Sequence, residues 1–310
     1  TAASGGAETV ITLVKIAILL VFIAFGVFAV EVTTFFGVEP GTTPGIGDFF
    51  SEGAVAVLPA MGLTFIAFQG YDLVATVTEE VKNPRKNIPR AIFVSLGVTV
   101  LIYLLVVGVS LGTLGAKRIG AAGEKAVVEA AVGFMPDVGL FGASIGAALV
   151  AFGAVFSTLS ALNAVVIGSS RIAFSMGRER QLPTRLGKIH HRYGTPFVAV
   201  LASAVVMLVA VVVVPIRVVG NLASLFSLLG FIVVNLAVIQ LRRAQPDLAR
   251  PFEVPLYPVT PVLGILLNAL LGLFISPTTW LIALGWLVFG ALVYAAWNRQ
   301  TTPSGATTAD

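Results

Sequence analysis

Ala67-Phe68-Gln69-Gly70-Tyr71-Asp72-Leu73-Val74-Ala75-Thr76 lies inside an apolar run from about 53 to 79. Roughly 20 apolar residues cross the hydrocarbon core of a bilayer, and this run would reach about 40 Å as one helix at 1.5 Å per residue. Yet Gln69, Gly70 and Asp72 fall within four residues near its middle. Glycine weakens a helix interior by about 1 kcal/mol, and a charged aspartate at the bilayer centre costs a few kcal/mol. Both oddities resolve if the helix unwinds around Gln69–Tyr71 and restarts with Asp72 capping the second half. Such a break exposes carbonyls at one end and amides at the other. These are tolerated only where they line a protein cavity, and in transporters they hold charged groups of substrates and ions. The alternative is an unbroken helix with Asp72 paired to a polar neighbour.

Composition sets the surroundings of this stretch. Of 310 residues, 57% are hydrophobic and only 11% charged, and mean hydropathy is +0.99. A soluble domain carries about 25% charged residues. The chain is therefore expected in a lipid bilayer, and a soluble domain, a disordered chain and a nucleic-acid binder are excluded. The net charge of +4 reads as basic loops beside anionic lipid. Cysteine is absent and the two histidines are adjacent, His190 and His191. No disulfide, thiolate site, multi-histidine metal site or cofactor is expected.

Eight apolar runs can span: about 9–30, 53–79, 89–115, 138–174, 195–214, 218–241, 259–276 and 278–297. No alternating ten-residue pattern points to a barrel, so the expectation is an all-α integral membrane protein. If the first helix starts inside, 14 Lys and Arg lie in inner loops. They include Lys82, Arg85, Lys86 and Arg90, the six between Arg171 and Arg192, and Arg242, Arg243 and Arg250. Only Lys117, Arg118, Lys125 and Arg217 lie outside. This bias puts both termini in the cytoplasm. The fourth run is also too long for a plain crossing, which requires tilt, projection into water or a break. Between spans, 116–137 reads as a short amphipathic helix on the outer face or as an ordinary loop.

Lys15 interrupts the first span, and Glu8, Thr12 and Lys15 share one helix face. An intramembrane ammonium marks a functional site. Snorkelling to the inner interface is the alternative. The fourth span carries small residues at Gly142, Gly146, Gly153, Ser157, Ser160, Ala164 and Gly168, a stripe that admits a neighbouring helix closely. Ser157 and Thr158 could ligate a cation or accept a hydrogen bond from Lys15, or bond back to their own helix. Glu79 and Glu80 oppose the dipole of the helix they end. Pairing with the basic 171–193 loop would make them a cytoplasmic gate, against a plain solvated turn.

Phe65–Asp72, continued by Glu79-Glu80-Val81-Lys82-Asn83-Pro84-Arg85 and Ile88-Pro89-Arg90, resembles the sixth-helix signature of amino acid permeases of the amino acid–polyamine–organocation superfamily. The helix around Lys15 resembles their fifth. Gly168-Ser169-Ser170-Arg171, Met176-Gly177-Arg178 and Leu182-Pro183 resemble the end of the eighth, and His191–Pro196 the start of the ninth. The resemblance implies a five-plus-five inverted-repeat fold, with this chain supplying helices five to twelve. The first four helices of the same protein are expected to be missing, and the chain begins without a Met. Residues 1–30 would be the last helix of the first repeat and 31–52 an outer loop. Residues 53–241 would be the second repeat, with a broken helix near 67–72. Residues 258–298 would be two C-terminal helices and 299–310 a disordered inner tail.

The same resemblance implies uptake of an amino acid across the plasma membrane by alternating access. Phe68 would cover the substrate, and Ala67, Gln69 and Gly70 would contact it, with Asp72 beside them. Lys15 matches the position where proton-coupled members place an amine, with Ser157 and Thr158 near the corresponding hydroxyl. Partners are then an amino acid, a proton and the lipid bilayer, with no nucleic acid. A polyamine or cationic amino acid carrier, or an exchanger, is the nearest alternative. An intramembrane enzyme would need a Ser–His or Asp–Asp pair or a metal at membrane depth, where Asp72 is the only mid-span aspartate. A channel remains a separate class, distinguished by current without saturable competition.

Overall fold

The computed structural model describes residues 2–301 except 40, 42, 51–52, 72–73, 75–80, 137–144, 193 and 251. The described residues are helical, with turns between helices. Five helices are long and apolar enough to cross a membrane: Thr9–Ala29, Pro84–Leu114, Ile145–Arg178, Ile216–Ala244 and Pro277–Trp297. Phe197–Val213 and Val259–Leu273 are shorter and also apolar. In Phe197–Val213, Val205, Leu208, Val209, Val211 and Val212 are all at least half exposed, Val212 at 78%. A face of that kind belongs against lipid tails.

The chain divides into two compact units, Thr1–Ala54 with Phe93–Ala164, and Val55–Ile92 with Val165–Asp310. In the first, α1 (Ala2–Gly26) is followed by the short helices α2 (Val32–Phe36) and α3 (Ile46–Phe49). The second begins with α4 (Val57–Thr64). The long helix α5 spans Pro84–Leu114, beginning with a proline after Asn83, a position where the ring's fixed φ suits the first turn. Lys82, Arg85, Lys86 and Arg90 crowd that N-terminus, where the helix dipole disfavours cations. Helix electrostatics does not explain their placement.

The core of the first unit gathers Phe22, Ile23, Val109, Leu114, Ala130, Ala131, Met135 and Val150, with Phe22 edge-on to Phe134 at 5.1 Å. Residues 116–137 supply part of it through α6 (Ala116–Ala122) and α7 (Ala126–Phe134). Ala126, Ala130 and Ala131 are buried while Lys117, Arg118, Glu124, Lys125 and Glu129 are exposed, the amphipathic division that the sequence implies. Glycines make the packing possible. A Cβ on Gly26 would sit 2.2 Å from Val109 Cγ1, and one on Gly146 2.3 Å from Met135 Cβ.

Gly146 belongs to α8 (Ile145–Arg178), a helix of 34 residues without a break. The fourth apolar run thus resolves by length rather than by unwinding. The expected start at 138 lies outside the described residues, as does Gly142.

In the second unit α9 (Phe197–Val213), α10 (Ile216–Ala244), α11 (Val259–Leu273) and α12 (Pro277–Thr301) follow. The most extensive packing joins α10 to α11, where Gly264 lies against Asn235 with only 3.1 Å for a Cβ. Leu225, Leu228, Ile275 and Ala283 form the buried centre, with Phe65, Leu222, Phe226, Leu229, Leu271 and Trp280 around it. The α11–α12 turn is fixed by Trp280 Nε1 donating to Gly272 O at 3.0 Å. The last helix runs to Thr301, into the stretch expected as tail. Residues 302–310 lie outside the described ones.

Candidate functional site

The α-helix α4 ends at Thr64, whose hydroxyl donates to Ala60 O at 2.9 Å. Phe65–Phe68 tighten into a 3-10 turn, as helix ends commonly do. At Gln69 the backbone turns extended, φ −75° and ψ 156°. Gly70 follows at φ +116°, a conformation that L side chains rarely adopt. A Cβ there would meet nothing within 4 Å, so glycine is required by the dihedral and not by crowding. The helix therefore breaks at the residues whose polarity and flexibility made an unbroken span costly. Asp72 and its capping of a second half lie outside the described residues.

Helix α10 supports both sides of the break. Phe65 meets Phe231 edge-on at 6.0 Å, and Tyr71 stacks on the same ring at 5.6 Å with planes 9° apart. Offset and edge-on pairs are each worth about 0.5–1.5 kcal/mol. About three turns nearer the start of α10, Ile66 Cδ1 lies 3.9 Å from where a Cβ of Gly220 would be. Phe65, Ile66 and Tyr71 thus all lie against α10.

Gln69 Nε2 and Ser224 Oγ are buried without a hydrogen-bond partner among the described residues. Leaving a buried polar group unpaired costs about 1–3 kcal/mol, so such groups are rare unless a ligand or water completes them. Gln69 was expected at the site. Phe231 was not, because nothing local in the sequence says which helix will face a break.

Lys15, Ser157 and Thr158 belong to the first unit. Lys15 is half-buried, and the side chain of Glu8, one face-sharing neighbour, lies outside the described part. Gly26 abuts Phe134, Met135 abuts Gly146, and Ile18 lies 3.2 Å from a Cβ on Gly153. Numbers thus rise along α8 as they fall along α1, so the two helices are antiparallel. Moving one turn from the Ile18–Gly153 contact brings Lys15 to the level of Ser157. Thr158 Oγ1 donates to Ala154 O at 2.9 Å, the back-bond within its own helix, and is thereby engaged. Beside this contact Val14, Ala17, Ile18, Val21, Met135 and Leu149 line an apolar cavity of about 190 Å³. Glu79 and Glu80, the expected gate, lie outside the described residues.

Long apolar helices of this kind define a multi-pass membrane protein. A family model described as amino acid permease matches residues 1–303, and the chain belongs to that family, within the amino acid–polyamine–organocation superfamily. It is 29% identical over 295 residues to the branched-chain amino acid permease BcaP of Bacillus subtilis (strain 168), covering 94% of this chain and 59% of that protein. The methylthioribose transporter of the same organism matches with the same identity and coverage. Its serine/threonine exchanger SteT is 30% identical over 204 residues, 65% of this chain and 45% of the relative. The chain spans about three-fifths of the length of the first two relatives.

Proposed function

We propose that this chain forms part of a secondary transporter that imports an amino acid by alternating access, driven by a proton. Cargo sits at the break, covered by Phe68 and contacted by Ala67, Gln69 and Gly70, with Asp72 at the start of the second half. The proton is handled at Lys15, with Ser157 across from it. Glu79 and Glu80 close the cytoplasmic end against basic loop residues. The observation that supports this reading is the buried Gln69 amide, without a hydrogen-bond partner among the described residues, at a backbone break in an apolar helix. Such a group is costly in an empty site and satisfied in a loaded one.

The test uses the full-length protein in proteoliposomes. Lys15→Met should abolish uptake driven by a proton gradient while membrane insertion and counterflow exchange persist. Unchanged proton coupling would reject the role of Lys15. Gln69→Leu should weaken substrate binding about tenfold, the loss of one hydrogen bond of about 1.4 kcal/mol. Exchange without a proton is the second reading, favoured by the likeness to SteT, and is diagnosed by uptake that requires internal amino acid. Competition by branched-chain amino acids, cationic amino acids, polyamines and methylthioribose identifies the cargo.

The proposed topology has eight crossings, an inverted repeat and both ends of this chain inside. Because the chain has no cysteine, single cysteines placed at Arg185 and Lys117 test it cleanly. An impermeant maleimide should label Lys117→Cys in intact cells and Arg185→Cys only after lysis.

A further inference from the structure

Where α5 begins and the segment after α10 returns, the second unit carries a groove of about 540 Å³. Pro84, Ile88 and Phe252 give it an apolar lining, and Arg85 and Arg250 line it beside them. Both walls sit at ends of apolar helices, the depth at which lipid headgroups lie. The segment after α10 is itself interfacial in character, exposing Leu248, Phe252 and Leu256 at 51%, 46% and 80% among polar neighbours.

We propose that this groove seats an anionic phospholipid, its phosphate on Arg85 and Arg250 and an acyl chain along Ile88 and Phe252. The charge around it is complementary. Residues 81–92 and 242–257 carry Lys82, Arg85, Lys86, Arg90, Arg242, Arg243 and Arg250 against Asp247 and Glu253. Arg250 is held in place from below. Its guanidinium donates to Pro246 O at 2.8 Å, Leu248 O at 3.0 Å and Gln245 O at 2.5 Å. A guanidinium has five N–H donors in a rigid fork, so two stay available for a phosphate oxygen. Arg85 is exposed and lines the same groove. Arg242, 4.3 Å over the Tyr257 ring, adds positive potential without entering the groove. A free phosphate would use the two arginines and leave the apolar lining bare, whereas a phospholipid uses both. The seat requires only an interfacial depth, so it stands whichever face of the membrane is cytoplasmic.

The experiment is lipid exchange on the purified full-length protein in phosphatidylcholine nanodiscs, with bound lipid counted by native mass spectrometry. Phosphatidylglycerol is the probe, and inorganic phosphate is the second. The wild type should retain phosphatidylglycerol over phosphatidylcholine. Arg85→Gln should weaken that retention about fivefold, the value of one basic residue at an anionic surface. Phe252→Ser should weaken retention of phosphatidylglycerol as well. Arg185→Gln removes the same charge from a different exposed loop and should leave retention unchanged. Equal losses in Arg85→Gln and Arg185→Gln would mean a diffuse field and overturn the seat. So would the absence of any preference in the wild type, or displacement of the lipid by millimolar inorganic phosphate.

Discussion

Two stretches are too long for a plain crossing, and they resolve in opposite ways. Ile145–Arg178 stays helical for 34 residues, about 51 Å, while the helix that begins at Val57 gives way after Phe68. Both contain glycines. In the first, Gly146 and Gly153 have ordinary helical angles and receive Met135 and Ile18. In the second, Gly70 has φ +116° and open space where a side chain would be. A glycine in a membrane helix thus has two separate uses, close approach and backbone freedom. The neighbours decide which: Ala and Val keep the ladder intact around Gly146, whereas Gln69 before and Asp72 after Gly70 give the backbone a reason to leave it.

The largest effect should come from removing the backbone freedom. Gly70→Val forces a β-branched residue into a dihedral that costs on the order of 1–3 kcal/mol, concentrated at the proposed cargo site. Initial uptake in proteoliposomes should fall about tenfold or more, with the helical circular dichroism signal kept. Wild-type uptake by this variant would remove the distinction between the two glycines. Gly146→Ala should do the reverse. Overpacking against Met135 costs about 1–3 kcal/mol, so the thermal midpoint should drop while uptake per folded molecule stays constant. Adding Met135→Ala should recover part of the loss, since the two residues touch and their effects are coupled.

Phe231 sharpens the comparison further, because α8 has no counterpart to it. Phe231→Leu releases Phe65 and Tyr71 together, and should cost about twice what Tyr71→Leu costs, each contact being about 0.5–1.5 kcal/mol. The readout is the unfolding midpoint of the two variants side by side. Equal costs would mean that the ring braces only one side of the break.

The break itself was legible because its signal is local: Gln69, Gly70 and Asp72 violate hydrocarbon energetics wherever the rest of the chain lies. The amphipathic stretch 116–137 was legible for the same reason, charge and alanine alternating over a few turns. The glycine stripe of α8 announced close packing but not its partners. That Met135 and Ile18 fill it depends on helices far apart in sequence. Phe231 left no trace at all, being an ordinary phenylalanine in an apolar helix. Its placement beside the break follows from how α10 is packed, which periodicity does not encode.

The smallest expected effect concerns the hydroxyls opposite Lys15. Thr158 Oγ1 already donates to Ala154 O within its helix, and helical geometry turns it about 100° from Ser157. Valine at 158 preserves the shape and loses only that back-bond, so stability should change by less than about 0.5 kcal/mol and proton dependence not at all. Ser157 stands one turn beyond Gly153, level with Lys15 by the antiparallel register. Ser157→Ala should therefore shift the pH dependence of uptake while Thr158→Val leaves it in place. Adjacent hydroxyls that are both exposed can differ in this way only if the register of α1 on α8 sets the coupling site. Equal pH profiles for the two variants would detach Lys15 from α8.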